Sequence, residues 1–268
     1  MATIRINGLD LYYEMAGSGE PLMLVHGSWG DHNNWAGVVP LLSQSFRVCS
    51  FDRRGHSQSE RPPGQGNVGE DVSDLAALIE ELAIAPAHVV GNSFGATIAL
   101  RLAGERPDLF RSLVAHEPPL LSTLEGDPQF APMLAGFNQR AEAVIELLRA
   151  GEMEPAARLF VETIAFRPGA WETLPQPIRD TFVVNGPTWL DETNDPASLA
   201  IDLGALARLD KPALVTTGTE SPPFFAPIAE LVARALPRSS SHVFAGAGHV
   251  PHISHPLKYV ETVRQFCE

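Results

Sequence analysis

Cysteine is scarce in this chain of 268 residues: only Cys49 and Cys267, 218 positions apart. Such a pair offers no disulfide framework and no zinc-finger spacing, and is the pattern of a reducing compartment. Basic residues are also few. Nineteen Lys and Arg face 32 Asp and Glu, a net charge of −13, and no basic run interrupts the acidic balance. A surface of that sign repels phosphate backbones, so nucleic acid is not the expected partner. No apolar run approaches the ~18 residues of a membrane helix, and the first residues lack the basic and apolar regions of a secretory signal. The expectation is a cytoplasmic protein, monomer or homodimer, without a membrane partner. Apolar residues make up 44% of the chain, enough for a substantial core.

What is present alternates. Short β-rich runs at Thr3–Ile6, Leu11–Glu14, Leu22–Val25, Arg47–Phe51, His88–Val90, Leu113–Ala115, Ala213–Thr217 and Ser241–Phe244 are separated by helical patterns. The clearest helix covers Val68–Leu82, with Val72, Leu75, Leu78, Ile79 and Leu82 on one face. Strand–helix alternation predicts an α/β fold with a mostly parallel sheet covered on both faces. Between Glu117 and Lys211 the rhythm fails, and only helical patterns broken by Pro and Gly remain. Ninety residues is too long for a simple connection. The expected organisation is a core of residues 1–117 and 211–268, with a helical cap at 118–210.

Gly91-Asn92-Ser93-Phe94-Gly95 follows one strand and opens a helix. This G-x-S-x-G pattern places a serine on a tight, strained turn with its hydroxyl exposed, and the glycines let neighbouring backbone come close. Serine needs a base. Gly248-His249 lies on the loop between the last strand and the last helix, so His249 is the candidate. His252 and His255 follow at intervals of three, but Pro251 and Pro256 break a ligand-bearing helix and no cysteine joins them. No metal site is expected. His26-Gly27-Ser28-Trp29-Gly30 ends the strand beside the serine turn, where the backbone N–H groups of Ser28 and Phe94 can form an oxyanion hole. His26, Asp52 and Arg54 read as residues that brace loops. Trp29, Trp171 and Trp189 are candidate substrate contacts, with core packing as the alternative.

Taken together, His26-Gly27, Asp52-x-Arg54-Gly55-x-Ser57, Gly91-x-Ser93-x-Gly95 and Gly248-His249 resemble the α/β-hydrolase fold superfamily. The resemblance covers the core and implies an eight-stranded sheet, a helical cap and a Ser–acid–His triad that works without a cofactor. It implies hydrolysis of a small carboxylic ester or lactone. C–C bond hydrolysis, perhydrolysis and a non-catalytic ligand receptor are alternatives on the same fold. One position departs from the pattern. The acid commonly stands three residues after the glycine that ends the penultimate strand, and here that residue is Ser221. Two carboxylates can replace it: Glu117, at the end of the strand after the serine helix, is favoured, and Glu220 is the alternative.

Overall fold

The computed structural model describes residues 2–64 and 66–268, so residues 1 and 65 of the expected core lie outside the description. Eight strands form a single sheet: β1 (Ala2–Ile6), β2 (Leu9–Ala16), β3 (Glu20–Val25), β4 (Phe46–Phe51), β5 (Ala87–Asn92), β6 (Phe110–His116), β7 (Ala213–Gly218) and β8 (Ser239–Phe244). Their spatial order is β1-β2-β4-β3-β5-β6-β7-β8. β2 runs antiparallel to both β1 and β4, and the pairings from β4 through β8 are parallel.

Side chains of the central strands alternate between two apolar layers, as the two-residue period of a strand requires. Met23, Val25, Val89, Leu113, Ala115 and Val215 enter the larger layer, under helices Val68–Glu81 and Phe94–Glu105 and the helical insertion. Leu22, Leu24, Val90, Val114 and Leu214 face the other layer, with Trp35 and Tyr259. Both faces are covered, which is why these strands read as continuous apolar runs rather than alternating ones. Helix Val68–Glu81 starts on a reciprocal cap: the Asn67 side chain accepts from Glu70 N–H, and the Glu70 side chain accepts from Asn67 N–H.

The segment between β6 and β7 contains no strand among the described residues. Its main helices are Ala131–Arg149, Met153–Phe160, Gln176–Asn185 and Thr188–Asn194. Polar side chains from its far end fasten it to the core. Asn185 is fully buried; its amide nitrogen donates to the Gly30 carbonyl (2.8 Å) and its oxygen accepts from Ser57 N–H (2.7 Å). Glu192 accepts from Arg53 Nη2 (3.0 Å), and Arg53 also makes a two-pronged contact with Asp71 (2.9 and 3.2 Å). The same guanidinium lies 4.8 Å from the centre of the Phe94 ring.

Arg53 is 2% exposed, so this is a buried cation between two buried carboxylates. Removing one member of such a set leaves uncompensated charge, at a cost of about 3–5 kcal/mol. Arg53→Met is therefore expected to lower the thermal midpoint by roughly 10 °C, given about 2–4 °C per kcal/mol for chains near this size. Calorimetry checks this, and an unchanged midpoint would show that the set contributes nothing to the docking.

Candidate active site

Four loops meet at the carboxyl ends of the parallel strands, where α/β sheets place their ligands. Ser93 follows β5 and precedes its helix with φ 56° and ψ −126°. That left-handed conformation is costly for any residue but glycine, and here it is held by Ser93 N–H donating to the His116 carbonyl (2.9 Å). The flanking glycines are required by space. A Cβ on Gly91 would stand 2.6 Å from Ala96 Cα, and one on Gly95 would meet the backbone of Val25 and His26. Gly27 presses on the serine itself, since a Cβ there would lie 2.8 Å from Ser93 Cβ.

The acid lies one strand over. Glu117 directly follows β6, with φ 47°, and is fully buried. Its N–H donates to the Thr216 carbonyl (3.2 Å), so His116, the last residue of β6, is tied to the serine turn and Glu117, the next residue, to β7. Glu117 Oε2 is 2.7 Å from His249 Nδ1, and Oε1 accepts from Gly218 N–H at 2.7 Å. Burial opposes charge on Glu117, but the hydrogen bond and charge of His249, helped by His116, outweigh it, and the carboxyl is held below its ordinary range. His116, fully buried beside it, is pushed down to about 4 by that burial and is neutral. Glu220 takes another course: its N–H donates to the Ala247 carbonyl and the residue is exposed. The structure thus brings Glu117, and not Glu220, to the imidazole.

His249 is held on further sides. Asn92 Nδ2 donates to its carbonyl (3.0 Å), and the Phe225 ring stacks on its imidazole at 4.6 Å and 14°. The other two histidines of the run diverge from it. His252 is buried 4.4 Å from the Trp35 ring, and His255 shares a hydrogen bond with Ser254. No one helix carries the three histidines, as expected from the prolines: Pro251 and Pro256 each start a separate helix, Pro251–Ser254 and Pro256–Cys267, with the break at His255 and with His249 ahead of both. His116, Glu117 and His249 do hold ligand-type atoms within 4.8 Å of one another, but both Glu117 oxygens are engaged by His249 and Gly218.

The loop after β3 carries the remaining group. His26 is buried and pushed down to about 3, first by burial and then by Arg53. Neutral, it pairs its Nδ1 with the Gly27 carbonyl (2.8 Å) and accepts from Arg53 N–H at Nε2 (3.0 Å). Asp52 fixes the adjoining loop by accepting from the N–H groups of His32 (2.8 Å) and Gln58 (3.0 Å). Trp29 has φ 63°, and this turn is gripped by Asn185 of the insertion. Ser28 donates its hydroxyl to Glu192. Burial pushes the Glu192 carboxyl up to about 7 against the pull of Arg53. The N–H of Phe94, first in its helix, has no acceptor within that helix.

Two cavities meet at Ser93 and His249. One, of about 370 Å³, reaches under Phe137, Ile145, Trp189 and Phe224. The other, of about 540 Å³, extends past Asn33, Phe166, Ile178 and Ile253. Ser28, Ser93, Phe160, Ala165 and His249 line both. Of the three candidate tryptophans, Trp189 is the one that lines either of these two cavities. Trp29 stacks on Phe160 at 4.7 Å and Trp171 packs beneath Arg179, each 2% exposed or less and neither on a cavity wall. Trp29, in a tight turn of the core, packs against the insertion through Phe160, whereas Trp171 lies inside the insertion, in helix Ala170–Thr173. Phe225, Phe137 and Glu192 are site residues that sequence reasoning passed over. A phenylalanine beginning the helix after β7 was a usable signal for the first; nothing local marked the others.

Residues 20–256 match the alpha/beta hydrolase fold family, and the chain belongs to it. It is a hydrolase of that fold. It is 31% identical to a pimeloyl-[acyl-carrier protein] methyl ester esterase of Aeromonas hydrophila, over 96% of this chain and 99% of that one. A 2-hydroxymuconate semialdehyde hydrolase of Pseudomonas is 30% identical over 99% and 91%. An uncharacterized hydrolase of Bacillus subtilis is 36% identical, but over only 47% of each chain. Among solved structures, the enol-lactonase of Burkholderia xenovorans superposes with a TM-score of 0.80 over 99% of both chains at 23% identity, a likeness of fold. No helix among the described residues is long and apolar enough to cross a membrane.

Proposed function

We propose that this protein is a cofactor-free serine hydrolase that cleaves a small carboxylic ester or lactone through Ser93, His249 and Glu117. The observation that carries the reading is the 2.7 Å contact between Glu117 and His249 Nδ1, with Ser93 and His249 opening on the same two cavities. Ser93 Oγ attacks the carbonyl carbon while His249 Nε2 takes its proton. The N–H groups of Ser28 and Phe94 receive the oxyanion. His249 returns the proton to the departing alcohol, leaving an acyl group on Ser93. Water, activated by the same imidazole, then releases the acid. The helical insertion, residues 118–210, acts as a cap whose inner wall sets substrate size. Support comes also from the full-length esterase relative and from the fold shared with a lactonase.

A series of p-nitrophenyl esters of rising acyl length tests the reading. Turnover with a burst of one p-nitrophenol per active site is expected. Tight binding without turnover would instead make the chain a receptor on a hydrolase fold.

The cap wall gives a narrower expectation. Trp189 is packed edge-on against Phe160 at 5.1 Å and borders the smaller cavity. Trp189→Leu frees space there, and kcat/KM for long acyl chains relative to short ones is expected to rise about tenfold, within the range that one or two methylenes supply in an apolar pocket. Trp171→Leu, away from both cavities, is the control: a changed profile in that variant and not in Trp189→Leu would reassign the wall.

A further inference from the structure

The two cavities share a feature of charge. Among the described residues, neither Lys nor Arg lines either one. Five carboxylates do: Glu125, Glu142, Glu192 and Asp195 in the smaller cavity, Asp31 in the larger. Three of these are committed to the protein's own donors. Asp31 accepts from Asn33 N–H and the Ser57 hydroxyl, Asp195 from Val68 and Ala197 N–H, and Glu192 from Arg53 and Ser28. Glu125 and Glu142 are exposed positions on the lining of the smaller cavity, and Glu142 is loosely paired with Arg149 at 3.9 Å, which is itself not on the lining. Arg53, whose guanidinium lies over the Phe94 ring, is enclosed between Asp71 and Glu192 and lines neither cavity.

An anionic arm of a substrate entering either cavity would lose its hydration, meet no cation and approach carboxylates. The cost of burying an unpaired carboxylate is large, and it applies to substrate as it does to side chains. The long-range field has the same sign, since the chain carries a net charge of −13. Shape, by contrast, is permissive, because two cavities of about 370 and 540 Å³ both open on Ser93 and offer room for the arms of an ester.

Resting on the hydrolase reading above, we infer that the substrate is an ester or lactone with no anionic group on either arm, and that the paired cavities exclude carboxylate-bearing acyl or alcohol groups by charge rather than by size. Since neither cavity holds a cation, exclusion does not depend on which receives the acyl arm.

The test is a set of three p-nitrophenyl esters matched in acyl length: hexanoate, the monoester of adipate with its free terminal carboxylate, and 6-(trimethylammonio)hexanoate. The adipate monoester is expected to fall at least 100-fold below hexanoate in kcat/KM, and the trimethylammonium ester to stay within about tenfold of hexanoate despite its bulkier end. Equal loss of both charged esters would mean that polarity or size excludes them, and would overturn the proposal, as would an adipate monoester cleaved as well as hexanoate. In the double variant Glu125→Lys, Glu142→Lys, both changes being on exposed positions, the ratio of adipate monoester to hexanoate is expected to rise about tenfold. A ratio that does not move would show that these two charges play no part, against the inference. Failure to cleave any of the three, with no labelling of Ser93 by a fluorophosphonate, would overturn the hydrolase reading itself. Labelling together with a preference for the anionic ester would leave that reading intact and sink only the charge rule.

Discussion

Ser93→Ala is expected to reduce kcat for ester cleavage by at least ~10⁴-fold while leaving the fold and its thermal midpoint nearly unchanged. Loss of a triad nucleophile typically removes that much or more, and what remains comes from the oxyanion donors and from binding alone. The fold is spared for reasons visible at the turn. The Ser93 side chain makes no capping hydrogen bond to its helix, so removing the hydroxyl leaves no buried donor or acceptor orphaned there. The constraint on the turn is carried instead by Ser93 N–H on the His116 carbonyl and by the close approach of Gly27, Gly91 and Gly95, all of which an alanine preserves. A fluorophosphonate should label the wild-type protein stoichiometrically and the variant not at all. Equal labelling of the two would place the reactive hydroxyl elsewhere, and a variant that unfolded would show that the turn needs the serine for its structure.

The sheet was legible because its signal is local. The central strands, buried on both faces, are continuous apolar runs, and each of the eight strands is close to where it was read; the observed ends extend by up to three residues into neighbours such as Glu20 and Asn92. The serine turn was legible for a related reason, since steric demands near one residue write glycines two positions away on either side. Glu117 was only half legible. Its place at the end of β6 was readable, but its contact with His249 spans 132 positions and depends on β6 lying between β5 and β7.

Contacts made by the insertion were not legible at all. Ser28 and Glu192 are 164 positions apart, and Arg53 and Glu192 are 139 apart. No period or motif specifies such pairs, because a charged residue on a short helix more often faces solvent than a buried arginine. The tryptophans illustrate the same gap. Trp29, Trp171 and Trp189 are all buried, and chemistry alone does not separate the one that borders the smaller cavity from the two that line neither cavity. Only the path of the insertion over the core distinguishes them. By tying the β3 loop through Asn185 and Glu192, that path also lets the insertion help orient Ser28, one of the two proposed oxyanion donors.

Glu117→Gln is expected to lower kcat by at least ~10²-fold, and Glu220→Gln to leave it close to wild type. Replacement of a triad aspartate by its amide costs about 10⁴ through loss of charge and selection of the wrong tautomer. Here the geometry fixes how the amide would sit. Gly218 N–H donates to Oε1, so the glutamine oxygen stays on that side and its NH₂ group turns to His249. An NH₂ group only donates, so Nδ1 must accept. The ring proton then moves to Nε2, the nitrogen that has to take the proton of Ser93. The charge that balances an imidazolium is lost as well, in a site where burial makes its absence felt. Glu220 offers none of this: it is exposed, with its backbone N–H on Ala247. The two variants should be compared side by side for kcat, with fluorophosphonate labelling rates to separate nucleophile activation from substrate binding. Slow labelling is expected for Glu117→Gln alone. A near-normal Glu117→Gln enzyme beside a crippled Glu220→Gln enzyme would reverse the assignment and require the loop after β7 to rearrange before catalysis.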